Sequence, residues 1–169
     1  HDCKAVCFCC SIEHAEYMDT LFRQNGYNSK SVTSRNSAEI DDASMMLARG
    51  EINYLCVADM LNEGIDIPEI DTVLFLRPTE SLTIFLQQLG RGLRLADGKT
   101  CLTVLDFVAQ ANQSYNYESR FRALVGKTTD SIEKEIKKGF TFLPRGCSIT
   151  MERQAQEYIL KNIHEAVFN

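Results

Sequence analysis

The sequence contains no long hydrophobic run and no excess of positive charge. No apolar segment approaches the roughly 20 residues that a membrane-spanning helix needs, and no secretory signal pattern stands at the start. The formal net charge of the 169 residues is −5. This balance argues against a broad nucleic-acid-coating surface, which would usually be basic, but it leaves room for a narrow basic track inside a larger assembly.

Paired cysteine spacings are also absent. A zinc site would need Cys-x2-Cys-type pairs with partners downstream, whereas the cysteines here form one cluster in an apolar run and are otherwise scattered. The pattern favours small apolar residues in buried strands, with no metal site. An odd, unpatterned set is typical of a reducing compartment, so we expect a cytoplasmic protein. The seven cysteines are Cys3, Cys7, Cys9, Cys10, Cys56, Cys101 and Cys147.

A complete phosphate-binding loop is missing as well. The segment that ends in Gly98-Lys99-Thr100 has Leu93 where the first glycine of such a loop belongs, and Gly126-Lys127-Thr128 has Phe121 there. Asp41-Asp42 lies inside a predicted helix rather than after a strand, so it is not a Mg²⁺ motif. There is no glycine-rich dinucleotide loop and no catalytic set of histidines, so a small-molecule α/β enzyme lacks support.

Apolar runs alternate with helical patterns along most of the chain. This alternation predicts an α/β fold, with a parallel sheet covered by helices on both faces. Ligands of such sheets bind beyond the carboxyl ends of the strands, so we expect functional residues in the loops there. The predicted strands are 5–10, 29–33, 53–58, 72–76 and 101–105, and the predicted helices are 11–25, 37–49, 81–93 and 109–124.

The pattern changes from Lys127 onward. Asp130 or Ser131 can cap a short charged helix that ends at Lys138, and residues 150–167 form an amphipathic helix. We expect residues 127–169 to form a short helical extension that braces the preceding domain or leads into a following one.

The predicted helix 81–93 and the arginine just beyond it carry the strongest functional pattern. At about 100° per residue, Gln87, Arg91 and Arg94 fall on one side, opposite a leucine-rich stripe. Arginine is always charged and offers a planar fork to phosphate oxygens. Gly90 lets backbone or ligand come close. By spacing alone, a polyphosphate-binding face and a solvated arginine face are equally consistent with this pattern.

A second pattern follows the strand that ends at Ala58. Gly64 permits a left-handed backbone, and Pro68 fixes the exit of the loop. Asp66 stands between them, where it can accept hydrogen bonds from a ribose hydroxyl or hold an arginine. The alternative is an aspartate that supports a tight turn.

Together, Gly64-x-Asp66-x-Pro68 and Gln87-x-x-Gly90-Arg91-x-x-Arg94 resemble motifs V and VI of superfamily-two DEAD/DEAH-type helicases. Residues 5–11 and the following helix take the place of motif IV. The resemblance implies a second, C-terminal RecA-like domain over residues 1–126, with 127–169 as the extension. The string 62–81, with 146–148 downstream, is similar to bacterial members that carry an added nuclease-like domain before the motor and an uncharacterised domain after it.

The resemblance also implies roles for individual residues. Two arginines act on the γ-phosphate of ATP, with Arg94 the usual arginine finger, and Gln87 helps to couple the site. ATP and Mg²⁺ are held mainly by a first RecA-like domain outside this chain. The implied catalytic residues are Arg91, Arg94 and Gln87; the ATP-binding residues are Gly64, Asp66 and Gly90; the nucleic-acid-binding residues are Ser11, Thr33 and Asp59.

The implied activity is that of an ATP-dependent helicase acting on nucleic acid, DNA rather than RNA, of which this chain is one part. Its start at His1 rather than methionine indicates either a segment of a longer protein or a tag remnant. Ala58, Ser34 and Glu63 depart from the family pattern, which affects the nucleic-acid contacts more than the arginines. The alternative is a non-catalytic nucleotide-binding or interaction module that retains the fold.

Overall fold

The computed structural model of the chain describes residues 3–58, 67–77, 96–107, 116–126, 130–140, 143, 145 and 147–168. The chain divides into two compact units, His1–Ala109 and Gln110–Asn169. The boundary after residue 126 was predicted from where the family resemblance ends. It is a different kind of boundary from this division into compact units, and it stays a prediction.

A five-stranded parallel sheet organises the first unit. Its strands are β1 (Ala5–Phe8), β2 (Ser29–Thr33), β3 (Tyr54–Ala58), β4 (Thr72–Phe75) and β5 (Thr103–Asp106). Their order across the sheet is β2-β3-β1-β4-β5, and each adjacent pair is parallel. The predicted α/β class with a parallel sheet is thereby confirmed. All five carboxyl ends consequently lie along one edge of the sheet.

Two helices of the first unit begin and end where the local chemistry requires. The helix α1 (Ile12–Gln24) begins after Ser11, whose Oγ accepts a hydrogen bond from His14 N at 3.1 Å. The helix α2 (Ile40–Arg49) ends at Gly50, which has φ +76°. The segment predicted as one helix from Ser37 instead opens with a 3-10 turn, Ser37–Glu39.

The core of the first unit lies on the three central strands. Most residues of β1, β3 and β4 are buried, and Leu47 of α2 is fully covered. The edge strand β5 differs, because Val104 and Leu105 are 37% and 45% exposed. The run predicted as the apolar strand 101–105 is therefore shifted toward 103–106 and is not a covered core strand. In the described part of the chain, no strand pairs with the outer side of β5.

The second unit contains three described helices, α3 (Tyr117–Val125), α4 (Ile132–Lys138) and α5 (Arg153–Phe168). Within the predicted helix 109–124, the structure describes α3 from Tyr117, where Asn116 caps it and accepts a hydrogen bond from Ser119 N at 2.8 Å. The first part of that predicted helix lies outside the described residues. Of the two predicted candidates for the cap of α4, Asp130 and Ser131, the structure has Ser131 in that position. No helix in the described ranges is long and apolar enough to cross a membrane.

Candidate functional site

At the carboxyl edge of the sheet, the structure describes the segments that follow β1, β2 and β4 directly. Cys9 N donates to Val57 O at 2.9 Å, which ties the loop after β1 to β3. Leu76 N donates to Phe8 O at 3.0 Å, which ties the end of β4 to β1. The segment that leads into α1 thus lies between the ends of β3 and β4, where a parallel sheet binds its ligands.

Ser11 lies at this edge as the cap of α1. Its hydroxyl accepts from His14 N at 3.1 Å, and the carboxylate of Glu13 occupies the first turn. Hydrogen bonds from the Glu13 backbone N–H and from Ser11, together with the nearby Arg35, hold the pKa of Glu13 below its usual value. The start of α1 therefore favours negative charge, as expected at the positive end of a helix dipole.

Thr33 ends β2 at the same edge, but its side chain is only 2% exposed. Its Oγ1 lies 3.2 Å from Asn36 Oδ1 and accepts from Arg35 N at 3.3 Å. Thr33 N also donates to Asn36 Oδ1 at 2.8 Å. The hydroxyl is thus engaged within the loop 34–36 and positions that loop. Direct contact between Thr33 and nucleic acid stays a prediction.

Arg35 connects the loop after β2 to the start of α1. Its guanidinium lies 3.2 Å from Glu13 Oε1 and 3.5 Å from Glu16 Oε1. Both contacts are exposed, so their contribution to stability is small. Sequence patterns did not indicate this residue, because its partners lie about twenty residues away along the chain.

His14 and Cys10 form a further contact that the sequence did not reveal. Cys10 Sγ lies 2.8 Å from His14 Nδ1, and Cys10 N donates to the same nitrogen at 3.3 Å. Nδ1 acts as the acceptor of the backbone bond, so it is the unprotonated ring nitrogen in that arrangement. His14 lies in the first turn of α1 and closes the turn into that helix.

The buried cysteines are structural. A hydrogen bond with Cys56, and then burial, raise the pKa of the Cys9 thiol, while a hydrogen bond with Cys7 and burial raise that of Cys56. These groups stay protonated, whereas zinc binds thiolate. In the ranges that the structure describes, no three His, Cys, Asp or Glu residues are grouped to hold a metal ion. Cys101, predicted within a strand, is exposed and precedes β5.

These environments predict two classes of thiol reactivity. In a Cys3→Ser background, an aromatic disulfide reagent is expected to modify the exposed Cys10, Cys101 and Cys147 in the native protein. The buried Cys7, Cys9 and Cys56 should react only after unfolding in guanidinium, because attack requires both access and thiolate. Peptide mapping by mass spectrometry distinguishes the sites. Rapid native modification of any buried thiol would contradict the assignment.

The lysine in Gly98-Lys99-Thr100 is used structurally at the opposite edge of the sheet. Gly98 has φ +78°, and Lys99 N donates to Ala96 O at 3.1 Å in a turn that precedes β5. Lys99 Nζ donates to Pro68 O at 3.0 Å, and desolvation by burial lowers the pKa of Lys99. The segment is therefore a strand-entry turn at the amino edge, away from the loops that bind ligands.

The remaining predicted site residues lie outside the described part of the chain. The structure does describe the end of the Gly64-x-Asp66-x-Pro68 segment. There, Ile67 is buried and anchors the chain before β4. The roles of the others stay predictions from the sequence. These residues are Asp59, Gly64, Asp66, Gln87, Gly90, Arg91 and Arg94.

Comparison with known proteins identifies the family. The model of the helicase conserved C-terminal domain matches residues 1–96, which is more than half of the chain. The chain belongs to this helicase C-terminal domain family. The match includes the sheet edge around Ser11 and Thr33 and the whole Gln87–Arg94 segment.

Three curated relatives show the range of this helicase family. The putative ATP-dependent helicase IRC3 of Saccharomyces cerevisiae is 35% identical over 59% of this chain and 14% of its own length. The probable ATP-dependent RNA helicase ddx51 of Dictyostelium discoideum is 24% identical over 61% and 20%. The ATP-dependent DNA helicase MPH1 of S. cerevisiae is 33% identical over 47% and 8%. The chain thus spans a small part of each relative.

A solved structure supports the fold independently. The yeast DEAD-box splicing factor Prp28 aligns with 92% of this helicase domain chain and 30% of its own, with a TM-score of 0.63 and 14% identity. At that identity the likeness concerns the fold alone. It agrees with a RecA-like parallel sheet as the architecture of the chain.

Proposed function

We propose that this chain is the second motor domain of an ATP-dependent nucleic-acid helicase or translocase. The observation that carries the proposal is the family match over residues 1–96, which covers both the carboxyl edge of the sheet and the arginine segment. The relatives that share this domain are ATP-dependent helicases much longer than the match. The proposal therefore assigns the chain one part of a larger motor.

In ATP hydrolysis, the proposed role of this chain is to stabilise the γ-phosphate while it is transferred. Arg94, with Arg91 beside it, supplies fixed positive charge to the γ-phosphate, where negative charge is distributed over the oxygens as the bond breaks. Gln87 helps to couple this charge to the rest of the site. Two guanidiniums and an amide suit a polyphosphate, so the chemistry of the donor set fits ATP.

Mg²⁺ does not fit the described residues in the same way. Mg²⁺ is bound through one or two carboxylates plus substrate phosphates. Asp41 and Asp42 lie in the first turn of α2, within a helix as predicted. Asp71 is engaged at the amino edge, where its Oδ1 accepts from Lys4 N at 3.1 Å. We therefore assign Mg²⁺ and most contacts to ATP to the first RecA-like domain.

The proposed nucleic-acid track runs along the carboxyl edge of the sheet. Ser11 and the start of α1 offer a hydroxyl and a positive helix end, which suit backbone phosphates. Asp59, which follows β3 in the sequence, is assigned to this track from the family resemblance, and Thr33 supports the loop 34–36 after β2. We expect DNA to stimulate the motor more than RNA, and stimulation of ATP turnover by oligonucleotides of each kind tests that preference.

The isolated chain is expected to hydrolyse no ATP. Hydrolysis requires a phosphate-binding loop and a Mg²⁺-holding acid, and the two loop-like segments of this sequence lack the first glycine. Phosphate release should stay at the level of a protein-free sample, with or without oligonucleotide. Nucleic-acid-stimulated turnover by the pure chain would refute the division of the active site between two domains.

The alternative, a non-catalytic module with the same fold, makes a different prediction for the longer protein. A motor domain brings Arg91 and Arg94 to bound nucleotide, so a photoreactive ATP analogue with its probe on the γ-phosphate should crosslink to that segment. Mass spectrometry locates the crosslink. Labelling confined to the first RecA-like domain, in a protein that shows no ATP turnover, would favour the non-catalytic module.

A further inference from the structure

Arg77 is a cation of the carboxyl edge that none of the helicase motifs includes. It follows β4 by two positions, and Leu76 N is bonded to Phe8 O at 3.0 Å. Arg77 therefore lies beside the segment from Cys9 to Ser11. The charge of Arg77 lowers the pKa of the Cys9 thiol, against the larger raising effects of the hydrogen bond with Cys56 and of burial.

The guanidinium of Arg77 has a donor without an acceptor. Its Nε is buried, and among the residues that the structure describes it has no hydrogen-bond partner. A charged donor that is hidden from water and left unpaired destabilises the protein, so native structures rarely keep one without a reason. A phosphate oxygen that bonded this guanidinium, once the side chain turned so that Nε became accessible, would remove that cost.

The other arginine of the described carboxyl edge is already neutralised. Arg35 lies within 3.2 Å of Glu13 and 3.5 Å of Glu16. Arg77 has no such carboxylate in the described segments. In a chain with a net charge of −5, a phosphate track must depend on a few cations that acidic partners do not already hold. Arg77 meets that requirement.

The neighbouring strand end supplies a second feature that favours an anion. The 13-residue helix α1 begins directly after β1, with its positive end at the same edge of the sheet. Since β1 and β4 are paired in register up to Phe8 and Phe75, their following loops are separated by about one strand spacing, roughly 5 Å. One phosphate can therefore approach both the start of α1 and the fork of Arg77.

We propose that Arg77 binds a phosphate of the nucleic-acid backbone between the carboxyl ends of β1 and β4. This inference rests on the proposed function and adds to it a residue outside the motifs. A backbone phosphate is favoured over the γ-phosphate of ATP, because Arg91 and Arg94 already account for the latter. Contact with phosphate carries no base preference, so Arg77 should contribute equally to all sequences.

The test is the salt dependence of oligonucleotide binding by the chain. Fluorescence anisotropy with a labelled oligothymidylate, repeated with an oligocytidylate of equal length, gives the slope of log affinity against log salt concentration. Arg77→Met is expected to weaken binding to both oligonucleotides alike and to reduce the slope by about 0.7, the contribution of one single-strand phosphate. Arg77→Lys should keep the slope, because the charge remains.

The matched control is Arg49→Met, which removes the same charge from an exposed arginine at the end of α2, on the opposite edge. Its slope should equal that of the wild type. An unchanged slope in Arg77→Met, or an equal loss in Arg49→Met, would overturn the inference while leaving the proposed function standing. Failure of the wild-type chain to bind either oligonucleotide at low salt would overturn both.

Thermal unfolding distinguishes a ligand-binding arginine from a structural one. Because Nε is buried without an acceptor, Arg77→Met should unfold at the same temperature as the free wild-type protein or at a higher one. A clear loss of thermal stability would show that Arg77 holds the fold together instead. That result would also contradict the inference, whatever the effect on binding.

Discussion

Replacing Arg94 with alanine is expected to lower ATP turnover by roughly 10³-fold or more in the longer protein that contains this helicase domain. The guanidinium is proposed to meet charge that develops on the γ-phosphate only as the bond to it breaks. An interaction of that kind lowers the barrier without strengthening the binding of ATP. The loss should therefore appear in kcat, while the affinity for ATP changes little.

The measurement is steady-state ATP turnover at saturating nucleic acid, with nucleotide binding determined separately. Arg94→Lys should restore only part of the rate, because an ammonium group keeps the charge but lacks the planar fork. Arg49→Ala, on the exposed end of α2, serves as the control for loss of an arginine. A kcat near that of the wild type in Arg94→Ala would refute the assigned role.

Replacing Phe75 with alanine is expected to lower the free energy of unfolding by about 3–5 kcal/mol. Phe75 is 0% exposed on β4, one of the three inner strands, and its ring is stacked on that of Phe8, with centroids 5.5 Å apart. Truncation removes buried apolar surface and leaves a cavity beside β1. Guanidinium unfolding followed by circular dichroism measures the change.

The control for Phe75 is the same truncation at an exposed site. Phe107, just after β5, is 53% exposed, so Phe107→Ala should change the free energy of unfolding by less than about 0.5 kcal/mol. Phe75→Leu provides a milder variant if Phe75→Ala does not fold. Equal unfolding midpoints for the two alanine variants would show that β4 is not part of the stabilising core.

Local chemistry made the helix ends of this domain predictable. Ser11 and Ser131 cap α1 and α4 as expected, because a serine before a helix can accept an otherwise unpaired backbone N–H. Gly50 and Gly139 end their helices with positive φ, which glycine adopts without strain. The strand 29–33 was likewise predicted with the bounds that the structure gives.

Strand ends that depend on a distant partner were not predictable in the same way. The run 5–10 forms a strand only to Phe8, because the ladders with β3 and β4 end there at Val57 and Phe75. The run 101–105 begins its strand at Thr103, which pairs with Thr72. Neither limit is encoded locally, and the order β2-β3-β1-β4-β5 depends on crossovers that periodicity does not specify.

The candidate site was predictable to the extent that its residues form spaced patterns. Ser11 was placed at the carboxyl edge by the rule for parallel sheets, and the structure has it there. The engagement of Thr33 with Asn36 and the pairing of Arg35 with Glu13 arise from three-dimensional proximity. The unpaired Nε of Arg77 depends on burial, which a sequence does not display.

The two edges of the sheet differ in how they are fastened. At the amino edge, Asp71 links three strands, since its backbone and side chain bond Lys4, Thr72 and Thr103. Asn53 adds ties to Ala5 and Asn28. The described sheet of this helicase domain is therefore anchored at its amino edge. Loops at the carboxyl edge can diverge in sequence without loosening the frame that holds them.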